Sequence, residues 1–80
     1  MTIVYLIQSV THPEQRYVDL TYDLKQSMSD HNSGEIADTA SYIPWKCGVA
    51  VAFEDAQKAI DFEAFLGTDA GRTFAEMHFF

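Results

Sequence analysis

The side chains in this sequence that could do chemistry are few and far apart. They are Tyr5, Tyr17, Asp19, Ser27, His31, Cys47 and Glu63. Glu63 stands out first. At 100° per residue it falls in the middle of the apolar face of a helix, between Ala59 and Ile60. A carboxylate there either lies at the edge of the contact and reaches water, or is held inside by a partner or by a shifted pKa, because an unpaired buried charge is costly. Ser27 and His31 stand one helical turn apart, so a hydroxyl and an imidazole share an edge of one face. Cys47 is the only cysteine, which excludes an intramolecular disulfide and any cysteine-based metal cluster. Its apolar surroundings predict a small buried hydrophobe. His12 and His78 sit in no recognisable ligand cluster, and Tyr42 and Trp45, beside Pro44, read as packing groups rather than as platforms for bases.

Those residues need elements to hold them. Ile3-Val4-Tyr5-Leu6-Ile7 is a continuous β-branched and aromatic run, too short for a helix, and predicts a mostly buried strand. His12-Pro13-Glu14 makes a turn, and Arg16-Tyr17-Val18-Asp19-Leu20 alternates as a half-buried strand, so the pair predicts an antiparallel hairpin. Thr21 is the expected N-cap of a first helix, with Asp23 in its first turn and Asn32-Ser33-Gly34 as its stop. Leu24, Met28 and His31 form its inner face. No period holds from Glu35 to Pro44, which predicts an ordered loop. Cys47 to Phe53 then reads as a buried strand whose small and β-branched side chains suit a central place. Glu54-Asp55 opens a second helix with acids in its first turn and Ala56, Ala59, Ile60 and Ala64 on its apolar face. Leu66-Gly67 breaks it, and Thr68 caps a third helix running to aromatics that pack back on the core. The expected fold is α+β: a small three-stranded, mainly antiparallel sheet flanked by helices, in the order β-β-α-β-α-α.

Eighty residues make a single domain, residues 1–80, in which most hydrophobic side chains must serve one core. Twelve acids against five bases give a net charge of −7, and the summed field repels phosphate backbones and anionic lipid. Arg16, Lys25, Lys46, Lys58 and Arg72 are scattered singly, so the basic footprint of a nucleic-acid binder is missing. The residues from Met1 to Gln8 lack the pattern of a signal peptide, and no stretch is long enough to cross a membrane, so a cytoplasmic location is the expectation.

The frame resembles the GIY-YIG nuclease domain, in particular its small stand-alone bacterial members, over nearly the whole chain. Ile3-Val4-Tyr5 stands where that family has Gly-Ile-Tyr, and Tyr17-Val18-Asp19 where it has Tyr-Ile-Gly. The likeness continues through Thr21-Tyr22-Asp23-Leu24, His31-Asn32-Ser33-Gly34, Pro44-Trp45, Ala52-Phe53, Phe62-Glu63-Ala64-Phe65-Leu66 and Gly71-Arg72-Thr73-Phe74-Ala75. Each triplet alone is weak, and together they are specific. The resemblance implies metal-assisted hydrolysis of a DNA phosphodiester, with tyrosines serving proton transfer, an arginine on the first helix stabilising phosphate charge, and a glutamate holding one magnesium or manganese ion. By position, Tyr5, Tyr17 and His31 are the inherited catalytic residues and Glu63 the inherited metal ligand.

The departures point the other way. Asp19 replaces the glycine that lets the backbone approach the site, and Ser27 replaces the arginine. Cations usual in the helix and tail are replaced by Gln26, Gly67 and Glu76, and Asp69 adds an acid. The expectation is therefore a catalytically degenerate GIY-YIG-like domain with no cofactor, acting as a small acidic module that binds a protein with a basic surface, in an inhibitory or nucleic-acid-mimicking role. A homodimer through the Phe79-Phe80 end is a further expectation. The alternative is a divergent magnesium- or manganese-dependent DNA endonuclease using Tyr17, His31 and Glu63, with Asp19 as a possible second metal ligand.

Overall fold

In the structure, a computed structural model, residues 1–80 are described throughout. The β-branched and aromatic side chains of the first run are stiff at χ1 and fit a pleated backbone. They form β1 (Thr2–Ser9), which extends past the predicted run at both ends. It is the centre of a three-stranded sheet in the order β2-β1-β3, with β2 (Arg16–Thr21) and β3 (Trp45–Phe53) antiparallel on either side. Val4, Leu6 and Ile7 are fully buried and Tyr5 is 1% exposed, so both faces of β1 are covered.

The central strand is thus β1, not the Cys47–Phe53 segment expected there. β3 is an edge, with Lys46, Cys47, Gly48, Ala50 and Ala52 exposed. One strand of three can be enclosed on both sides, and the bulkier one gains more. Burying a Val, Leu or Ile side chain is worth about 1.5–3 kcal/mol, and alanine and glycine have little to offer in exchange. Cys47, expected as a buried hydrophobe, is exposed for the same reason.

The helix α1 (Leu24–Ser33) is capped by Asp23, whose side chain accepts from the Gln26 N–H. Asp23 takes the place expected for Thr21. Thr21 ends β2 instead, its hydroxyl accepting the Asp23 N–H, so the two residues together make the turn from strand to helix. Gly34, at φ 85°, ends α1 in the left-handed region that glycine adopts freely, and its N–H donates to the Asp30 carbonyl. Within the aperiodic loop, Ala40–Tyr42 forms a short 3-10 turn.

The helix α2 (Ala56–Leu66) starts two positions later than expected. Asp55 is its cap, accepting from the Gln57 and Lys58 N–H groups, and no acid lies in its first turn. Its inner face also differs: Ala59 and Leu66 are buried and Phe62 packs on them, whereas Ile60 is 46% exposed and Ala56 and Ala64 face water. The Phe62 ring, set against Phe53 and Phe74, covers more apolar area than the alanines could, and the helix turns to bury it. Thr68 caps α3 (Asp69–His78) as expected, accepting from the Gly71 N–H. A side chain at Gly71 would run into the Phe65 backbone, so glycine sets the close approach of α3 to α2.

Alternation along the strands divides the molecule. Val4 and Leu6 join Ala59, Leu66 and Ala75 under α2 and α3, while Tyr5, Ile7 and Trp45 form a second cluster with Leu24 and Met28 of α1. The α+β order β-β-α-β-α-α is as expected.

Candidate functional site

The α1 side of the sheet holds a chain of polar groups inside an apolar cluster. Tyr5 rises from β1 and its hydroxyl lies 2.7 Å from Nε2 of His31, which is fully buried on α1. Nδ1 of His31 lies 2.8 Å from the Thr39 hydroxyl. That hydroxyl turns its own proton toward the Ile36 carbonyl, at 3.4 Å, so it accepts from Nδ1–H and leaves Nε2 to accept from the Tyr5 O–H. The Thr39 carbonyl accepts from the Trp45 indole N–H at 2.8 Å. Asn32, next to His31, clamps the backbone of Trp45: its Oδ1 accepts the Trp45 N–H at 2.6 Å and its Nδ2 donates to the Trp45 carbonyl at 3.1 Å. Helix, loop and strand are thereby locked together around one imidazole.

Two aromatic rings flank that imidazole edge-on, Tyr5 at 5.8 Å and Tyr17 at 5.7 Å between ring centroids. Asp19 is the direct cross-strand partner of Tyr5. Ser27, one turn before His31, sits 2.6 Å from the Thr21 hydroxyl. Glu63 belongs to α2, which packs on the opposite face, and its charge acts on Tyr17 as that of Asp19 acts on it. Of the two places expected for this carboxylate, at the edge of the helix contact or held inside, Glu63 takes an intermediate one and is half-buried. Its neighbours on the helix face are Ala59, Phe62 and Leu66 rather than Ile60.

The charge of Asp19 is felt throughout. Burial first, and then Asp19, push Tyr5 up to about 12, against a smaller opposing pull from the Ser27 hydroxyl. Tyr17 is raised by burial and then by Asp19, Asp38 and Glu63. Glu63 is raised by burial and then by Asp19. Burial lowers His31, with Asp19 and Asp30 partly opposing, so the imidazole is held neutral. No lysine or arginine pairs with any of these groups: the ion pairs are Arg16 with Glu76 and Arg72 with Asp69, both on the α3 side.

The fold thus brings together Tyr5, Tyr17, Asp19, Ser27, His31 and Glu63, and leaves His12 and His78 elsewhere, exposed beside Tyr42 and Phe74 respectively. Sequence reasoning missed Thr39, Asn32 and Asp38. Thr39 lies in an aperiodic loop with no local signal, and its role depends on the loop folding back over α1. No three His, Cys, Asp or Glu side chains converge as a metal site. Asp19 and Glu63 are the carboxylates on this side that could offer oxygen to a magnesium or manganese ion, and one Asp19 oxygen already accepts from the Leu20 N–H.

No helix is long and apolar enough to cross a membrane. No curated protein and no solved structure matches the chain. The family model described as the GIY-YIG catalytic domain matches residues 1–73, spanning β1, the Tyr5–His31 pair, Asp19 and Glu63, and the chain belongs to that family.

Proposed function

We propose that this protein is a GIY-YIG domain that has lost phosphodiester hydrolysis and uses the former site as an anionic surface for a basic group on a partner protein. The observation that carries this reading is the place of Asp19. It faces Tyr5 across the β1–β2 ladder and its charge acts on Tyr5, Tyr17, His31 and Glu63, with no cation beside it. A phosphodiester brought here meets negative charge where a nuclease needs positive charge. Ser27, at the position of the family arginine, is hydrogen-bonded to Thr21 and offers only a hydroxyl. An arginine or lysine side chain on a partner meets complementary charge at the same point. Inhibition of a nucleic-acid-binding protein by mimicry is one use of such a surface.

The second reading, a divergent endonuclease, draws on a different observation. Tyr5, Tyr17 and His31 are assembled around one hydrogen bond, and Glu63 is half-buried. A magnesium or manganese ion held by Glu63 and Asp19 would supply the Lewis acid for that chemistry. The neutral His31 and the hydroxyl of Tyr5 would then hold and pass a proton between them.

Incubation with branched and single-stranded DNA in magnesium or manganese decides between the two. The expected result is no cleavage; cleavage that disappears in Glu63→Ala overturns the first reading. Under that reading an arginine-rich peptide shifts the NMR signals of Tyr17 and Glu63, and Asp19→Asn with Glu63→Gln abolishes the shift. Asp19→Gly with Ser27→Arg restores the missing glycine and cation, and metal-dependent nicking by that variant would show that the rest of the inherited site is intact.

A further inference from the structure

The five bases are scattered singly along the sequence, but folding brings two of them, Arg16 from β2 and Arg72 from α3, to one hollow. It lies on the α3 side of the sheet, across from Tyr5 and His31, and has a volume of about 290 Å³. Its floor is apolar. Leu6 and Val18 meet there as cross-strand partners, beside Leu66 at the end of α2 and Ala75 of α3, which presents only a methyl group. Phe80 forms a wall, with the Arg16 guanidinium 4.2 Å from the centre of its ring.

The charges at the rim select what such a hollow takes. Glu76 is the one acid of the lining, so two cations meet one anion here, in a chain whose net charge is −7. Neither guanidinium is firmly committed. Arg16 pairs with Glu76, whose side chain is largely in water, and Arg72 stands 3.6 Å from Asp69 with both side chains exposed. Exposed pairs of this kind are worth little, so exchanging a partner costs little. Arg72 is also tethered to the Gly67 carbonyl at 3.2 Å, and most of its N–H donors have no partner in the protein. An apolar floor below two guanidinium forks is complementary to a flat apolar body that carries a carboxylate. The body gains from the area it covers, and the carboxylate accepts paired hydrogen bonds from a planar fork. The volume stands at the lower end for ligand pockets, which suits one or two fused rings rather than a lipid chain.

We propose that this hollow is a binding site for a small aromatic carboxylate, with the ring on Leu6, Val18, Leu66 and Ala75 and the carboxylate on Arg72 and Arg16. The bound carboxylate takes the place of Glu76 on Arg16, and the Glu76 side chain moves into water. Glu76 is thus an internal competitor. The proposal is independent of how the site around Asp19 is read, because it uses the other face of the sheet.

NMR titration with naphthalene-2-carboxylate, against its neutral amide, tests this. The methyl signals of Leu6, Val18, Leu66 and Ala75 are expected to shift and saturate, with a dissociation constant of about 1 mM or below. The amide is expected to bind about tenfold more weakly. Arg72→Gln, at an exposed position, should weaken the carboxylate about tenfold and leave the amide unchanged. Glu76→Gln removes the competitor and should tighten the carboxylate several-fold. Ala75→Leu fills the floor and should abolish binding of both; if that variant does not fold, the Arg72→Gln comparison decides by itself. The absence of any saturable shift overturns the proposal, as do shifts confined to Tyr17 and Asp19. An amide that binds as tightly as the carboxylate, or carboxylate binding that Arg72→Gln leaves unchanged, overturns it as well, because the guanidinium would then select nothing.

Discussion

Neighbouring residues on one strand serve two different interiors. Val4 and Leu6 point into a cluster of Ala59, Leu66 and Ala75, with Phe62, Phe74 and Phe79 packed around it, where contacts are apolar. Tyr5, between them, points the other way into a chain of hydrogen bonds running through His31 and Thr39 to Trp45. The first interior is held by area, and its strength is graded with each methylene. The second is held by directional groups in a low-dielectric surround, where a satisfied network fixes one geometry and a broken one leaves an unpaired polar atom. Stability and positioning are thereby divided between the two faces. The candidate site falls on the face that fixes geometry.

Substitutions that treat the two faces separately test this division. Leu6→Ala opens a cavity on the apolar face and is expected to cost about 2–5 kcal/mol, a large share of what a domain of this size possesses. The shift in the urea midpoint measures it. Tyr5→Phe keeps the ring but leaves His31 Nε2 without its donor, and a loss of about 1–3 kcal/mol is expected. A loss near zero would mean that water replaces the hydroxyl and that the network is less closed than its geometry indicates.

Smaller effects concern protons. His31 lies below its ordinary 6.5 in the folded chain. Between that value and its own, the unfolded chain binds more protons than the folded one, so the histidine makes the fold lose stability as pH falls through this window. Glu63, raised above its ordinary 4.5, has the opposite sign. Its stabilising contribution is complete below 4.5 and is lost as pH rises through its raised value. Glu63→Gln is expected to remove that rising-pH loss and to leave the histidine window in place, as thermal melts at several pH values would show. The smallest expected effect is that of Asp19→Asn, which takes one negative charge from the centre of the site. Tyr5, Tyr17, His31 and Glu63 should then all titrate lower, as followed by NMR. If Tyr17 stays in place while the others move, Asp38 and Glu63 rather than Asp19 hold it up.

Local patterns were reliable where a residue's neighbours in sequence are its neighbours in space. The hairpin, the inner face of α1 at Leu24, Met28 and His31, the stop at Gly34 and the cap at Thr68 all follow from spacing, and the structure keeps them. The spaced motifs carried the family as well. Two helix starts were displaced by two residues because neighbouring polar residues, Thr21 and Asp23 at α1 and Glu54 and Asp55 at α2, could each open the helix. Asp23 and Asp55 took the cap, where a negative charge meets the helix dipole.

The sequence by itself determined the elements, their order and the family. It also put an aspartate at position 19 and a serine at position 27. Only the tertiary structure decided which strand is central, because that is a competition between distant segments for one enclosed place, won by the bulk of Val4 to Ile7 over the small side chains of β3. The same competition turned Phe62 inward in place of Ile60, folded Thr39 over His31, and left the edge from Lys46 to Phe53 open. None of these is a property of a residue and its near neighbours. Each depends on which surfaces remain once the largest apolar ones have been buried.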